Sequence, residues 1–184
     1  MPNTAIVEYT DLYRLDANRK LDSKTRSLLG QYMTPTPIAR FMSSFFDNYE
    51  GSDIRLIDPG AGVGTLTASF IEEFIRRQSN LRHIHVIAYE IDSVMLDYLN
   101  STIQNSHVLC RNSKIDLNTD IICEDFIKYG VTLLANELFN NKEIGESFTH
   151  VIMNPPYKKI SSTSDWPSTC ELYQPKVEES GKIT

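Results

Sequence analysis

Residues 54–64 read Ile-Arg-Leu-Ile-Asp-Pro-Gly-Ala-Gly-Val-Gly, so an apolar run leads directly into a carboxylate and a glycine-rich turn. The sequence that follows repeats with helical spacing, and its apolar members are Leu66, Phe70, Ile71, Phe74 and Ile75. A strand, a glycine turn and a helix in this order begin a βαβ unit, and the glycines let a ligand approach the backbone closely. A tight turn without a ligand has the same pattern, because one glycine-rich turn is a weak signal.

The alternation of strand and helix patterns continues along the chain. Strands are predicted near residues 54–58, 84–90, 120–123 and 148–153, and helices near 65–77, 93–104 and 127–139. The polar stretch Gln104–Thr119 is expected to be an exposed loop. The pattern predicts an α/β, Rossmann-like fold with an open, mostly parallel sheet, in which ligands lie outside the carboxyl ends of the strands.

Three predicted strands end in acidic residues, Asp58, Glu90 and Asp125. The Asp58 carboxylate disfavours a phosphate and suits a cationic ligand, such as the α-ammonium and sulfonium groups of S-adenosylmethionine. Glu90 can accept both hydroxyls of a ribose. Asp125 can bond an adenine amino group while Phe126 stacks on the ring. Any one of these could be a solvated strand end, but three at the same sheet edge favour a nucleoside cofactor.

The fourth strand leads into Asn154-Pro155-Pro156-Tyr157. An adenine amino group is a poor nucleophile because its lone pair is delocalised into the ring. The Asn154 side-chain oxygen and the Pro155 carbonyl can each accept one amino hydrogen and stabilise the charge that grows on the nitrogen. The consecutive prolines, Pro155 and Pro156, stiffen the turn, and Tyr157 offers a face on which an extruded base can stack. A proline-terminated strand is the simpler interpretation of these four residues taken alone.

With the cofactor residues ahead of the catalytic ones, the chain resembles the adenine-N6 DNA methyltransferases of restriction-modification systems, in their γ order. The resemblance covers about Gly30 to Lys159 and includes the segment Gly30-Gln31-Tyr32-Met33-Thr34-Pro35. It implies S-adenosyl-L-methionine as cofactor and double-stranded DNA, through a flipped adenine, as substrate. The cofactor-binding residues that it implies are Tyr32, Met33, Thr34, Asp58, Gly60, Gly62, Glu90, Ile91, Asp125 and Phe126. The catalytic residues that it implies are Asn154, Pro155, Pro156 and Tyr157.

Within the resemblance, Tyr32, Met33 and Thr34 would line the methionine end of the cofactor, and Ile91 would pack on its adenine. The chain is expected to divide into a helical lead-in with the cofactor-lining segment over 1–47, a methyltransferase core over 48–160 and an irregular tail over 161–184. The family continues into further strands and a recognition domain. The sheet of this chain is therefore expected to be incomplete at its carboxyl-terminal side.

A helix is also predicted just before the first strand. Thr36 can cap it and Pro37 suits its first turn. Its apolar residues recur with helical spacing and are expected to pack into the core; they are Ile38, Phe41, Met42, Phe45 and Phe46.

The charge balance is unusual for a protein that binds DNA by itself. The chain has 18 basic and 24 acidic residues and a net charge of −6, whereas phosphate contacts normally need a basic surface. Lys158 and Lys159 form the one basic spot next to the predicted site. Recognition of a DNA sequence is therefore expected to come from a domain or subunit supplied elsewhere.

Neither metal nor membrane binding is expected. The three cysteines are far apart, and the close histidines His83 and His85 are too few ligands for a zinc site. No apolar stretch approaches the roughly 20 residues that cross a bilayer, so a cytoplasmic protein is expected.

The function predicted from the sequence is site-specific DNA adenine-N6 methylation with S-adenosylmethionine. One alternative is methylation of ribosomal RNA or of a protein glutamine, because Asn-Pro-Pro-Tyr suits those planar nitrogen groups as well. A second alternative, from a different class, is a non-catalytic module that binds the cofactor or a partner without turnover.

Overall fold

The computed structural model describes residues 5–20, 33–47, 49–77, 80–128, 130 and 147–155. In chain order its elements are α1 (Ile6–Lys20), α2 (Thr36–Ser44), β1 (Asp53–Pro59), α3 (Thr65–Arg77), β2 (His83–Tyr89), α4 (Ser93–Asn112), β3 (Asp116–Ile122) and β4 (His150–Val151). The predicted helix near 127–139 lies mostly outside the described residues.

The four strands form one parallel sheet in the order β3-β2-β1-β4. The chain moves outward from β1 to β3 and then returns to the other side of β1, where Leu56 pairs with His150 and Ile57 with Val151. Strand order therefore reverses between β1 and β4. Ligands of open parallel sheets lie at such a reversal, beyond the carboxyl ends of the strands. The predicted α/β fold is confirmed.

The main core lies between the sheet and α3. Alternate residues of β1 and β2 face this helix, and Leu56 and Val86 of the strands and Phe70 of α3 are completely buried. The helix α1 packs across α3 and α4, with Val7 and Ala17 completely buried. This arrangement leaves the carboxyl ends of β1, β2 and β4 beside the glycine turn.

The expectation of a loop over Gln104–Thr119 is wrong. The helix α4 continues to Asn112 and β3 begins at Asp116. Thr102, Ser106 and Cys110 recur at every fourth residue and are buried. The hydroxyl group of Thr102 donates to the Val63 carbonyl and that of Ser106 donates to the Thr102 carbonyl, so this face of α4 is buried although it carries polar side chains.

The expected packing of α2 is wrong in part. Met42 and Phe46 contact the core, but Ile38, Phe41 and Phe45 are 50%, 60% and 67% exposed. The buried face is centred on Ala39 and Ser43, whose small side chains let α2 lie close to α3. Thr36 does not cap the helix either. Pro35 is at the cap position, and the Thr36 hydroxyl donates to the Val7 carbonyl instead.

None of the helices in the described ranges is long and apolar enough to cross a membrane.

Candidate active site

The glycine turn follows β1 and is tied to the end of β2. The backbone amides of Gly60 and Ala61 both donate to the Tyr89 carbonyl, over 2.9 and 2.8 Å. Gly62 has a φ of 59°, and a Cβ built on it would meet no atom within 4 Å, so the space beside this part of the turn is open. Gly64 differs, because a Cβ there would lie 2.9 Å from Thr102 Cγ2 on α4.

Asp58 lies beneath this turn. It shares a strand face with Ile54 and Leu56, and its carboxyl group is completely buried. Oδ2 accepts a 2.6 Å hydrogen bond from the Thr67 hydroxyl of α3. Oδ1 has no hydrogen-bond partner among the described residues.

Burial raises the pKa of Asp58, the Thr67 hydrogen bond lowers it and the nearby Glu90 charge raises it, and together they bring this pKa to about 7. A buried carboxyl with one unsatisfied oxygen fits a cationic ligand.

Glu90 closes the other side of the turn. Its Oε2 accepts from the Gly62 amide over 2.8 Å, and its Oε1 accepts from the amides of Ile91 and Asp92, each over 2.8 Å. Burial raises the pKa of Glu90 although these three bonds favour the charged form. Ribose hydroxyls that approached Glu90 would therefore meet a carboxylate already held in place by backbone amides.

The residues after Glu90 have separate roles. Asp92 caps α4 by accepting from the Val94 and Met95 amides, over 2.8 and 3.4 Å. Ile91 is more than half exposed, so its side chain can contact a ligand ring.

Asp125 and Phe126 follow β3 at the same sheet edge. Asp125 Oδ1 accepts from the amides of Ile127 and Lys128, over 3.0 and 3.3 Å, in a helix-capping arrangement. Phe126 lies edge-on to Tyr89, with ring centroids 5.1 Å apart, and packs against a cluster that includes Ile57 and Ile87. Their predicted contacts with adenine stay predictions, and capping is a role of Asp125 that the sequence did not reveal.

Asn154 lies just past β4, beside the segment that precedes α2. Its Nδ2 donates to Thr34 Oγ1 over 3.0 Å, and the Ile152 amide donates to the Ile57 carbonyl at the end of β1. Met33 packs against Ala17, Val63 and Met95, and therefore lies beside the glycine turn.

The structure thus joins Thr34 to Asn154 and places Met33 at the turn, while Pro155 is exposed. The predicted site residues Tyr32, Pro156 and Tyr157 lie outside the described residues, as do Lys158 and Lys159.

Thr67 is the functional candidate that the sequence interpretation missed. It is a hydroxyl residue on the buried face of α3, between Leu66 and Phe70. A polar side chain within an apolar helix face needs a buried partner, and that requirement was the available signal.

The histidines of β2 pair across the sheet with carboxylates. His85 Nε2 lies 2.7 Å from Asp120 Oδ2, and His83 Nδ1 lies 3.5 Å from Asp116 Oδ2. Over the part of the chain that the structure describes, no three His, Cys, Asp or Glu residues are grouped as a metal site would require.

The chain is similar to known methyltransferases in sequence and in fold. No family model matches the chain. The chain is 35% identical over 161 residues to Type II methyltransferase M.BsuBI of Bacillus subtilis, which covers 88% of the chain and 30% of that protein. It is 32% identical over 152 residues to Type II methyltransferase M.PstI of Providencia stuartii, with 83% and 28% covered. The chain therefore spans less than a third of the length of either relative.

A solved structure from Listeria monocytogenes, described as a class I S-adenosylmethionine-dependent methyltransferase, superposes with a TM-score of 0.57. The match covers 94% of this chain and 45% of that one, and its 12% sequence identity makes it a likeness of fold alone. The chain therefore has the fold of class I S-adenosylmethionine-dependent methyltransferases and, as its motifs predict, its sequence resembles the Type II methyltransferases over most of its length.

Proposed function

We propose that this chain carries the cofactor-binding and catalytic residues of a DNA adenine-N6 methyltransferase that uses S-adenosyl-L-methionine. The observation that supports the proposal is the contact of Asn154 with Thr34, at the same sheet edge as Asp58, the glycine turn and Glu90. The resemblance to two Type II methyltransferases supports it.

The residues at this edge fit the cofactor. The unsatisfied Oδ1 of Asp58 matches an α-ammonium group, and the open space beside Gly62 admits the ligand to the backbone. Glu90 has further lone pairs with which to accept from ribose hydroxyls. When bound, S-adenosylmethionine supplies an electrophilic methyl group on its sulfonium.

Asn154 and Pro155 act on the acceptor. The Asn154 side-chain oxygen and the Pro155 carbonyl accept the two hydrogens of the amino group and stabilise the positive charge that develops on nitrogen. The amino nitrogen forms a bond to the methyl carbon while the bond from that carbon to sulfur breaks and its electron pair stays on sulfur. The methylated nitrogen then loses one proton to water. Tyr157 is proposed to stack on the flipped base.

The proposed substrate is double-stranded DNA, and we propose that a domain or subunit outside these 184 residues supplies sequence recognition. The net charge of −6 supports a separate recognition domain or subunit, because DNA readout needs phosphate contacts from basic side chains. Such a protein would work in the cytoplasm, where its DNA substrate is.

A labelled-acceptor assay tests the proposal. The chain is first titrated with S-adenosylmethionine and its demethylated product by calorimetry, and both are expected to bind. The chain in excess is then given methyl-labelled cofactor and an equal mixture of duplex DNA, ribosomal RNA and protein, with M.BsuBI assayed beside it. Slow labelling of DNA at adenine N6, without strong site preference, is expected.

The other outcomes separate the alternatives. Label in RNA or in a protein glutamine would show that this group, and not an adenine of DNA, accepts the methyl group. Cofactor binding without label in any acceptor would identify a non-catalytic module.

A further inference from the structure

Thr34 and Asn154 are joined by a hydrogen bond across 120 residues of sequence. Asn154 Nδ2 donates to Thr34 Oγ1 over 3.0 Å. Thr34 is buried and Asn154 is partly buried, so water competes little for this bond. The bond therefore fixes one end of the Asn154 amide.

The orientation of this amide decides whether Asn154 can serve an amino-group substrate. One end of the amide is an acceptor oxygen and the other is a donor nitrogen. The last torsion of an asparagine side chain is soft, so the group rotates unless a partner holds it. A rotated amide would point N–H groups at an amino group that also carries N–H groups. A hydrogen bond at Nδ2 sets the amide plane and hence the direction of Oδ1.

The position of the Thr34 hydroxyl is set by the fold. Pro35 follows Thr34, and its carbonyl accepts from the Ile38 and Ala39 amides at the start of α2, each over 3.0 Å. The next residue, Thr36, donates its hydroxyl to the Val7 carbonyl of α1 over 2.9 Å. The two residues after Thr34 are thus hydrogen-bonded to α2 and α1, which fixes the backbone next to Thr34 without a ligand.

We propose that Thr34 is a positioning residue for Asn154, whose hydroxyl oxygen holds Nδ2 and so directs Oδ1 toward the amino group of the substrate. This inference rests on the proposed function and deepens it. It gives Thr34 a role in the chemical step, in addition to the lining of the methionine end of the cofactor that the family resemblance implies.

A kinetic test compares Thr34→Val, Thr34→Ser and Asn154→Ala with the double variant of Thr34→Val and Asn154→Ala. Valine keeps the branched shape and removes the hydroxyl, whereas serine keeps the hydroxyl. The matched control is Thr10→Val, because the buried Thr10 hydroxyl bonds to the Val7 carbonyl within α1. The readouts are the single-turnover rate of methyl transfer at saturating cofactor and the dissociation constant for S-adenosylmethionine.

We expect Thr34→Val to slow transfer roughly tenfold to a hundredfold, the scale for a misplaced reacting group, and to weaken cofactor binding by a smaller factor than it slows transfer. Thr34→Ser should restore most of the rate, and Thr10→Val should match the parent chain. In the Asn154→Ala background, Thr34→Val should have no further effect. An equal slowing in both backgrounds, or a loss of cofactor affinity as large as the loss of rate, would overturn the proposal.

A spectroscopic test needs no turnover. In ¹⁵N-labelled chain the Asn154 side-chain amide signals are identified by their absence from Asn154→Ala. Thr34→Val should move these signals, while Thr34→Ser and Thr10→Val should leave them near their original positions. Unmoved signals in Thr34→Val would refute the positioning role whether or not methyl transfer is detected. Moved signals together with no transfer to any acceptor would support the Thr34 contact and count against the proposed function alone.

Discussion

Thr67 donates its hydroxyl hydrogen to Oδ2 of Asp58 over 2.6 Å, and Oδ1 of the same buried carboxyl has no partner among the described residues. One oxygen is thus held by the protein, and we propose that the other accepts a hydrogen bond from the ligand. The pKa of this carboxyl, raised by burial to about 7, makes the pair sensitive to pH.

The first prediction concerns the pH dependence of cofactor binding. Below about pH 7 Asp58 is protonated in the free protein, so binding of an ammonium group must release a proton and affinity must fall. The α-ammonium group itself loses its proton at about pH 7.7–8.0, so affinity should also fall above that range. Cofactor affinity should therefore be highest between the pKa of Asp58 and that of the ammonium group. Calorimetry at pH 6.5 in two buffers of different ionisation enthalpy measures the released proton. A binding enthalpy that is the same in both buffers would exclude Asp58 as the ammonium partner.

Thr67→Val sharpens this test. The Thr67 hydrogen bond lowers the pKa of Asp58, so its removal should raise that pKa and move the rise in affinity to higher pH. Thr67→Ser keeps the donor and should restore the profile of the parent chain. Glu90 also raises the pKa of Asp58, and Glu90→Gln should therefore move the profile to lower pH, in the opposite direction from Thr67→Val.

The second prediction is that Asp58→Asn stabilises the protein at high pH and abolishes cofactor binding. The folded-state pKa of Asp58 lies above its unfolded value of 3.8, so its favourable contribution is complete below about pH 4 and is lost as pH rises through about 7. Asparagine cannot ionise, so at pH 8 the variant should exceed the parent chain in free energy of unfolding by up to about 4 kcal/mol. Urea unfolding of both proteins at pH 4 and pH 8 measures this difference in the free energy of unfolding. A variant less stable than the parent at pH 8 would contradict the prediction.

The third prediction concerns Glu90→Ala. Loss of the ribose contacts should weaken cofactor binding by about 1.5–3 kcal/mol, the range for hydrogen bonds to a charged group. The variant also loses the acceptor for the Gly62 amide, so hydrogen exchange at Gly62 should become faster. Calorimetry and exchange measured by NMR separate the two effects. Unchanged cofactor affinity would remove Glu90 from the site.

The fourth prediction is that Asn154→Ala lowers the rate of methyl transfer by roughly 10² or more and leaves cofactor affinity nearly intact. The matched control is Asn100→Ala, since the Asn100 side chain is exposed on α4 and donates to the Leu96 carbonyl of its own helix. Single-turnover rates and calorimetry on both variants test this. Full activity in Asn154→Ala would refute the assigned chemistry.

The fifth prediction compares two glycines of the turn. Both Gly60 and Gly64 have a positive φ, 80° and 85°, so alanine at either position should cost about 1–2 kcal/mol in backbone strain. A Cβ at Gly60 meets no atom within 4 Å, whereas one at Gly64 lies 2.9 Å from Thr102 Cγ2. Gly64→Ala should therefore unfold at lower urea concentration than Gly60→Ala. Equal midpoints would show that α4 moves aside without cost.

Much of the fold could be predicted from the sequence because buried parallel strands have continuous apolar runs, as Leu56 and Val86 illustrate. The wrong predictions for α4 and α2 have a common cause. Side-chain polarity was taken as a measure of exposure, but the hydroxyl groups of Thr102 and Ser106 bond to backbone carbonyl groups and let that face of α4 be buried. In α2 the error was the reverse, since large apolar residues were expected to be buried. The small residue Ala39 is buried there, whereas Phe41 is exposed.

The candidate site was predictable where a residue follows a strand, since the carboxyl ends of parallel strands meet at one edge. Asp58, Glu90 and Asn154 are residues of this kind. Contacts that depend on tertiary packing were not predictable, because no local pattern links Thr67 to Asp58 or Thr34 to Asn154.

The reversal of strand order between β1 and β4 affects the order in which the strand pairs can form during synthesis. Synthesis proceeds from the N-terminus, and the pairs of β1 with β2 and of β2 with β3 join strands that are close in sequence. The pairing of Leu56 with His150 must instead close a long loop, which is slow. On the ribosome, the residues of the proposed cofactor site on β1 and β2 can therefore assemble before Asn154 is added. If the proposed function is right, the growing chain binds the methyl donor before it can transfer the methyl group.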